Sequence, residues 1–326
     1  MIARYAIPFF MTMGFVVFPL VSYFLCRWLL PRRYGRKTGL FCAMIIIMVV
    51  AYGMTYGFKQ LEVRHIEFAS SDLPEAFDGY RIVHFSDAHV GTYVGKREPL
   101  LQRAVGSINA QQADMIVFTG DMQNIYPDEL PPHVACLRQL KAKDGVYAVL
   151  GNHDYAVYQD CDEQEKQKHC LQTIEAERQM GFDLLLNEHR IIRRDSDSIV
   201  IAGMENWGLV KRMPRRGDVR KTLAGLANSQ QPIANSPFII MLEHDPSAWR
   251  EKILPECHAQ LTLSGHTHGG QFAILGWSPV ALSYSEWAGT TYEGDRAIHV
   301  STGLGGLIPF RFGQPGEIVV ITLKKK

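Results

Sequence analysis

Residues 81–89 read RIVHFSDAH, residues 115–121 read MIVFTGD and residues 146–154 read VYAVLGNHD. Each stretch is a short run of β-branched and aromatic residues that halts at Asp, Asn, Gly or His. The design returns at 238–245, FIIMLEHD, and at 259–269, AQLTLSGHTHG. Apolar runs of this length, closed by turn-forming residues, predict strands covered on both faces. Three further runs, 199–202, 297–300 and 318–323, fit the same description. Helix-like segments at 98–110, 129–140, 163–180 and 246–254 separate several of them. Strands alternating with helices predict an α/β fold. In such sheets ligands collect beyond the carboxyl ends of the strands, where the polar clusters stand.

Singly, each cluster is ordinary. Asp87-Ala88-His89 reads as a turn with a surface histidine, and Gly151-Asn152-His153-Asp154 reads as turn chemistry. Together, in chain order and each after a predicted strand, they read differently. Five of the twelve histidines (His89, His153, His244, His266 and His268) sit at strand ends beside carboxylates or amides. A donor set of imidazole, carboxylate and amide oxygen suits borderline divalent cations, and no thiolate softens it.

The ordered set closely resembles the calcineurin-like metallophosphoesterases, whose pattern is D-x-H, G-D-x-x-D, G-N-H-D/E, H, G-H-x-H. The resemblance covers residues 80–323. One position departs: Gly120-Asp121-Met122-Gln123-Asn124 ends in Asn124 where the family has an acid, which touches outer contacts and leaves the ligands intact. Leu73-Pro74, Gly265–Gln271 and the closing Gly303…Glu317 are most similar to the membrane-tethered branch, which includes UDP-2,3-diacylglucosamine pyrophosphatases. The resemblance implies a layered β-sandwich flanked by helices over residues 59–326. It also implies hydrolysis of a phosphoester or pyrophosphate with two divalent metal ions, Mn first and Fe or Zn next. One ion would take Asp87, His89, Asp121 and His268, and the other Asp121, Asn152, His244 and His266, with Asp121 bridging. Attack would come from a hydroxide held between the ions. His153 would protonate the leaving oxygen and Asp154 would orient its imidazole. Arg311, in the closing motif, is a candidate phosphate contact, with an ion pair pinning the last strand as the alternative.

Ahead of this body lie two stretches without a charge, Tyr5–Cys26 and Thr38–Phe58. At roughly 1.5 Å per residue, each crosses a ~30 Å hydrocarbon core. They predict a two-span membrane anchor over residues 1–58 and not a cleaved signal peptide. The core and the ligands begin after the spans, so the body is expected to fold without residues 1–58. Arg27, Arg32, Arg33, Arg36 and Lys37 fill the loop between the spans, against Arg4 alone outside them. The excess of positive charge predicts a cytoplasmic loop and an extracytoplasmic body.

Of the chain's 34 basic residues, these six lie in 1–58 with no acid beside them, and the other 28 face all 33 acidic residues. The body therefore lacks the basic footprint of a nucleic-acid binder. The expected partners are the membrane and a phosphorylated substrate, lipid-linked or from the cell envelope. A non-catalytic scaffold is the competing reading, and the complete ligand set argues against it. Lys211, Arg212, Arg215, Arg216, Arg220 and Lys221 form a basic run that reads as a solvated face or as a flap for anionic headgroups or a diphosphate. Trp277 and Trp287, beyond the last motif, read equally as walls of the site or contacts for acyl chains. Cys136, Cys161, Cys170 and Cys257 permit disulfides without demanding them. On a helix, Cys161 and Cys170 would stand ~13 Å apart, too far for a bridge.

Overall fold

The protein is described from a computed structural model, over residues 2–226 and 237–326. Two groups of six strands build the body. The first comprises β1 (Leu61–Ser70), β2 (Arg81–Phe85), β3 (Met115–Phe118), β4 (Val146–Ala148) and β5 (Asp183–Leu184), joined by β12 (Gly316–Lys325). The second comprises β6 (Glu188–Arg194), β7 (Asp197–Gly203), β8 (Phe238–Leu242), β9 (Leu261–Ser264), β10 (Gly289–Glu293) and β11 (Arg296–Val300). Spatial order is β1-β12-β2-β3-β4-β5 in one sheet and β10-β11-β9-β8-β7-β6 in the other.

Alternation along the strands explains the layers. Ile82, Val117 and Ile321 of the first sheet meet Ile199, Ile201, Ile240 and Leu263 of the second, forming the core between the sheets. Val83, Phe85 and Phe118 point the other way. They pack with Leu101, Val105 and Ile108 of α4 (Glu98–Asn109) and Leu137 of α5 (Pro131–Leu137). Helix α6 (Glu163–Gln179) starts on the side chain of Asp162, which accepts the Glu165 N–H at 2.8 Å as an N-cap. On the far side Val200, Ala202, Ile239 and Met241 meet Trp249 and Ile253. The expected helix-flanked β-sandwich is the architecture found.

Register then gathers the polar clusters. Strands β2, β3 and β4 run parallel, pairing Phe85 with Phe118 and Phe118 with Ala148. Strands β8 and β9 are also parallel, pairing Leu242 with Leu263. The residues after each strand therefore emerge at one end of the sandwich.

The leader forms a helical hairpin. Helices α1 (Ile2–Thr12) and α2 (Phe18–Leu29) are joined by a π-helical turn at Met13–Val17, and α3 (Arg32–Thr55) returns beside them. The stretches Ile7–Leu29 and Arg32–Lys59, each of mean hydropathy 2.0, are long and apolar enough to cross a membrane. The hairpin closes on Gly39: a side-chain carbon there would lie 2.8 Å from the Tyr23 carbonyl oxygen. Small residues of this kind let membrane helices approach closely.

The end of residues 1–58 touches the body, so the segment is not without contribution to its core. Phe58 lies in the core beneath α4, with its ring 5.9 Å from that of Tyr93. Gly53 packs on the ring of Phe310, its carbonyl accepts the Arg311 N–H at 3.1 Å, and Tyr52 meets Phe312 edge-on at 5.7 Å. The charge-free stretch that reads as the second span thus ends in a residue that turns into protein.

Candidate metal centre

Asp87, His89, Asp121 and His268 offer ligand atoms that all lie within 4.8 Å of one another, and Asp121, His244 and His266 form a second such group. Asn152 joins the second group, with its Oδ1 3.1 Å from His244 Nε2. All seven candidate ligands are therefore brought together, and Asp121 belongs to both groups.

The backbone is bent to achieve this. Asp87, His89, Asp121, His266 and His268 hold φ of +50°, +44°, +63°, +71° and +54°. A non-glycine residue in the left-handed region costs on the order of 1–3 kcal/mol, and such strain clusters at functional sites. Hydrogen bonds between the loops offset it. The Asp87 N–H donates to Gly120 O at 2.9 Å, the His89 N–H to Asp121 O at 3.1 Å, and the Gly265 N–H to His244 O at 3.0 Å. Close approach does the rest: a side chain at Gly265 would collide with Ser86 and with the Asp87 carboxylate.

Tautomers follow from the hydrogen bonds. His89 Nδ1 sits 3.1 Å from Gln123 O and His244 Nδ1 sits 2.6 Å from Thr119 O. A carbonyl can only accept, so each Nδ1 carries the proton and each Nε2 turns a lone pair inward. These lone pairs face other nitrogens: His89 Nε2 is 3.3 Å from His268 Nε2, and His244 Nε2 is 3.2 Å from His266 Nδ1. Asp121 Oδ2 lies between them, 3.3 Å from His244 Nε2 and 3.7 Å from His89 Nε2. Inward lone pairs around a shared carboxylate oxygen fit divalent cations.

Burial pushes His89, His266 and His268 below the usual histidine range, His268 to about 4. They are neutral donors at physiological pH. Burial also works against the Asp121 carboxylate, yet His244 and His153 outweigh it and hold that group well below its ordinary value. Conversely, Asp121 overrides the desolvation of His244 and raises it to about 10, so its Nε2 lone pair holds a proton facing Asp121 that a bound cation would displace.

His153 and Asp154 part company. The His153 ring lies beside the centre, its Nδ1 donating to the Asn124 carbonyl and its Nε2 4.0 Å from Asp121 Oδ2. Asp154 does not orient that ring, which corrects the expected role. Its carboxylate is buried and accepts backbone N–H groups instead: Gly151 and Asp121 at 2.8 Å, Met122 at 3.0 Å and Gln123 at 3.3 Å. Four donors aimed at one carboxylate define a loop built around the ionised form, although burial and the neighbouring Asp121 push its pKa up to about 7.

Arg311 likewise serves the backbone and not the expected phosphate. It is fully buried, and its guanidinium donates to the carbonyls of Thr302, Gly303, Gly305, Gln314 and Pro315. Both terminal nitrogens are committed to these carbonyls, and Nε, which has no partner among the described residues, is buried. Arg311 ties the closing motif to Asp87, whose carbonyl accepts the Gly305 N–H at 2.8 Å. The six cysteines are free thiols. His84 and His299 are buried, each bonded to a threonine hydroxyl at 2.8 Å, in line with a structural role.

Other contributors carry no signature in the sequence. Gln123 holds His89 through its carbonyl, and its side chain donates to His153 O at 2.9 Å and accepts from the Thr173 hydroxyl at 2.9 Å. Glu129 accepts the N–H groups of Asn124, Ile125 and Tyr126, fixing the carbonyl that holds His153. Tyr158 accepts from Asn152 at 3.1 Å, and the Tyr284 hydroxyl lies 2.8 Å from His266 Nε2. The G-N-H-D and G-H-x-H motifs mark where to look, but lone tyrosines beyond them are unremarkable.

Comparison with known proteins agrees with this geometry. The family model described as calcineurin-like phosphoesterase matches residues 80–270. A Bacillus subtilis metallophosphoesterase, YkuE, is 32% identical over 311 residues, which cover 90% of this chain and 98% of that protein. The zebrafish (Danio rerio) transmembrane protein with metallophosphoesterase domain is 32% identical over 292 residues, 87% of this chain, and the match spans 62% of its length. The bovine (Bos taurus) protein of the same name is 25% identical over 319 residues. Five strand-end motifs, a shared aspartate and a family match over more than half the chain lead to one conclusion: this protein is a metal-dependent phosphoesterase of the calcineurin-like family.

Proposed function

We propose that the protein is a two-span, membrane-anchored hydrolase of phosphoester or pyrophosphate bonds, acting on a lipid-linked or cell-envelope substrate with two divalent ions. The observation that carries this reading is Asp121 Oδ2, set between the imidazoles of two ligand groups. Asp87, His89, Asp121 and His268 would hold one ion, and Asp121, Asn152, His244 and His266 the other, Mn being preferred. The ions would supply Lewis acidity at the phosphoryl oxygens and an activated water.

The protein's own groups do the rest. His153 Nδ1 is committed to the Asn124 carbonyl, so Nε2 is the nitrogen left to carry a proton to the departing oxygen. Asp154 keeps the loop of Asp121 and the loop of Gly151 in register. The phosphate contact assigned to Arg311 falls instead to Arg212. Its guanidinium stands 6.0 Å from the ring centroid of Tyr158, whose hydroxyl accepts from Asn152. An extracytoplasmic body suits envelope lipids. UDP-2,3-diacylglucosamine, a cytoplasmic nucleotide, would require the opposite orientation.

The test is His153→Ala, assayed on esters of graded leaving-group pKa. A lost proton donor should slow turnover roughly 10²–10⁴-fold on alkyl esters and far less on nitrophenyl esters. Equal loss across the series would assign His153 to positioning.

A further inference from the structure

Between the metal ligand His268 and Tyr284, which bonds the metal ligand His266, the chain makes an excursion with an apolar outer surface. Ile274 and Trp277 pair across a tight turn whose tip, Leu275, is wholly exposed, and Leu282 is 81% exposed. Burying none of these side chains costs a soluble protein solubility and gains nothing in the core, so such a patch points to an apolar partner. Tryptophan beside aliphatic residues is the composition of a membrane–water interface.

The body's contacts say which partner. Phe272 stacks on Phe312 at 5.6 Å, the Ala273 N–H donates to Phe312 O at 2.8 Å, and Phe312 in turn meets Tyr52 of α3. Two residues earlier, Phe310 packs 5.0 Å from Phe10, which lies inside the apolar stretch Ile7–Leu29. The loop that carries Phe310 and Phe312 is therefore already at the level where both spans meet the body. The excursion is paired to that loop at its first residue, Phe272.

We propose that residues 272–282 form a lip that dips into the bilayer surface from which the anchor emerges, holding the mouth of the metal site at headgroup level. The consequence is a preference for phosphoesters presented by a lipid surface over the same group in solution. The inference rests on the reading of residues 7–59 as membrane spans.

The test uses the full chain reconstituted in vesicles of phosphatidylethanolamine and phosphatidylglycerol. Cys26, Cys42, Cys136 and Cys161 are replaced by serine, and the buried Cys170 and Cys257 are kept. An NBD label is attached through Leu275→Cys, with Leu40→Cys in α3 and Asp195→Cys in the β6–β7 turn as references. Lipids carrying a doxyl quencher should quench the labels at 275 and 40 and leave the one at 195 unaffected. Quenching at 40 without quenching at 275 would overturn the lip and leave the anchor standing. No quenching at 40 would overturn the anchor and the lip with it. As a second readout, Leu275→Asp with Leu282→Asp should lower the rate on a vesicle-borne lipid phosphoester roughly tenfold, through lost orientation, and spare a soluble nitrophenyl ester. Equal effects on both substrates would refute the preference.

Discussion

Replacing Asp154 by asparagine separates the role the structure gives it from a role in chemistry. Oδ2 accepts the N–H groups of Gly151 and Asp121, both at 2.8 Å, and Oδ1 those of Met122 and Gln123 at 3.0 and 3.3 Å. An amide keeps one of these oxygens and turns an NH2 toward two donors. Two bonds to a charged acceptor are then lost at about 1.5–3 kcal/mol each, or about 3–6 kcal/mol together before the loops relax. For a domain of this size that corresponds to a fall in Tm of roughly 6–24 °C. The Asp121 loop, strained at φ +63°, should loosen with it, so bound metal should fall as well. Thermal unfolding followed by circular dichroism and metal content by mass spectrometry report the two effects. His153→Ala, measured alongside, should leave both close to wild type. An Asp154→Asn protein with wild-type Tm and metal content that loses rate only on poor leaving groups would exclude the loop-holding role. Asp154 would then act through His153 after all.

Two further perturbations probe the fold. Deleting residues 1–58 removes Phe58 from the core beneath α4, whereas deleting residues 1–51 keeps it. The longer deletion should be less stable by about 3–5 kcal/mol, the usual cost of losing a buried phenylalanine, and equal melting of the two would mean that Phe58 contributes nothing. Glu177 is buried in α6 and, among the described residues, neither carboxyl oxygen has a hydrogen-bond partner; burial, with Asp154 and Asp121 nearby, pushes its pKa well above the ordinary value. The folded state therefore binds a proton that the unfolded state releases, so stability falls as pH rises above about 4.5. Glu177→Gln should unfold like wild type at pH 4 and be increasingly more stable than it from pH 5 to 8. A constant difference across that range would contradict the assignment.

The candidate ligands were legible because their chemistry is local. Asp87, His89, Asp121, Asn152, His244, His266 and His268 each follow an apolar run, and strand-end clustering survives any uncertainty about packing. The central strands were legible for the same reason. The four strands that the pattern missed, β1, β5, β6 and β10, are the four sheet edges. Edge strands carry exposed polar residues, as Arg64 and Glu62 do in β1, so they lack the continuous apolar run. The roles of Asp154 and Arg311 were illegible because their partners are backbone N–H and carbonyl groups, which every residue supplies. Phe58 misled for a third reason. Hydropathy cannot distinguish a ring facing lipid from one facing a protein core.

In the proposed mechanism Asp121 joins two metal sites in one catalytic centre. The most direct measurement is anomalous diffraction from crystals of the full chain soaked in Mn, read beside the Mn dependence of nitrophenyl ester hydrolysis. Two peaks are expected, both within coordination distance of Asp121, one flanked by His89 and His268 and the other by His244 and His266. Activity should vanish in chelator and return with Mn. A single peak in an active crystal, or full turnover by chelator-treated protein that binds no ion, would rule out the shared two-ion centre.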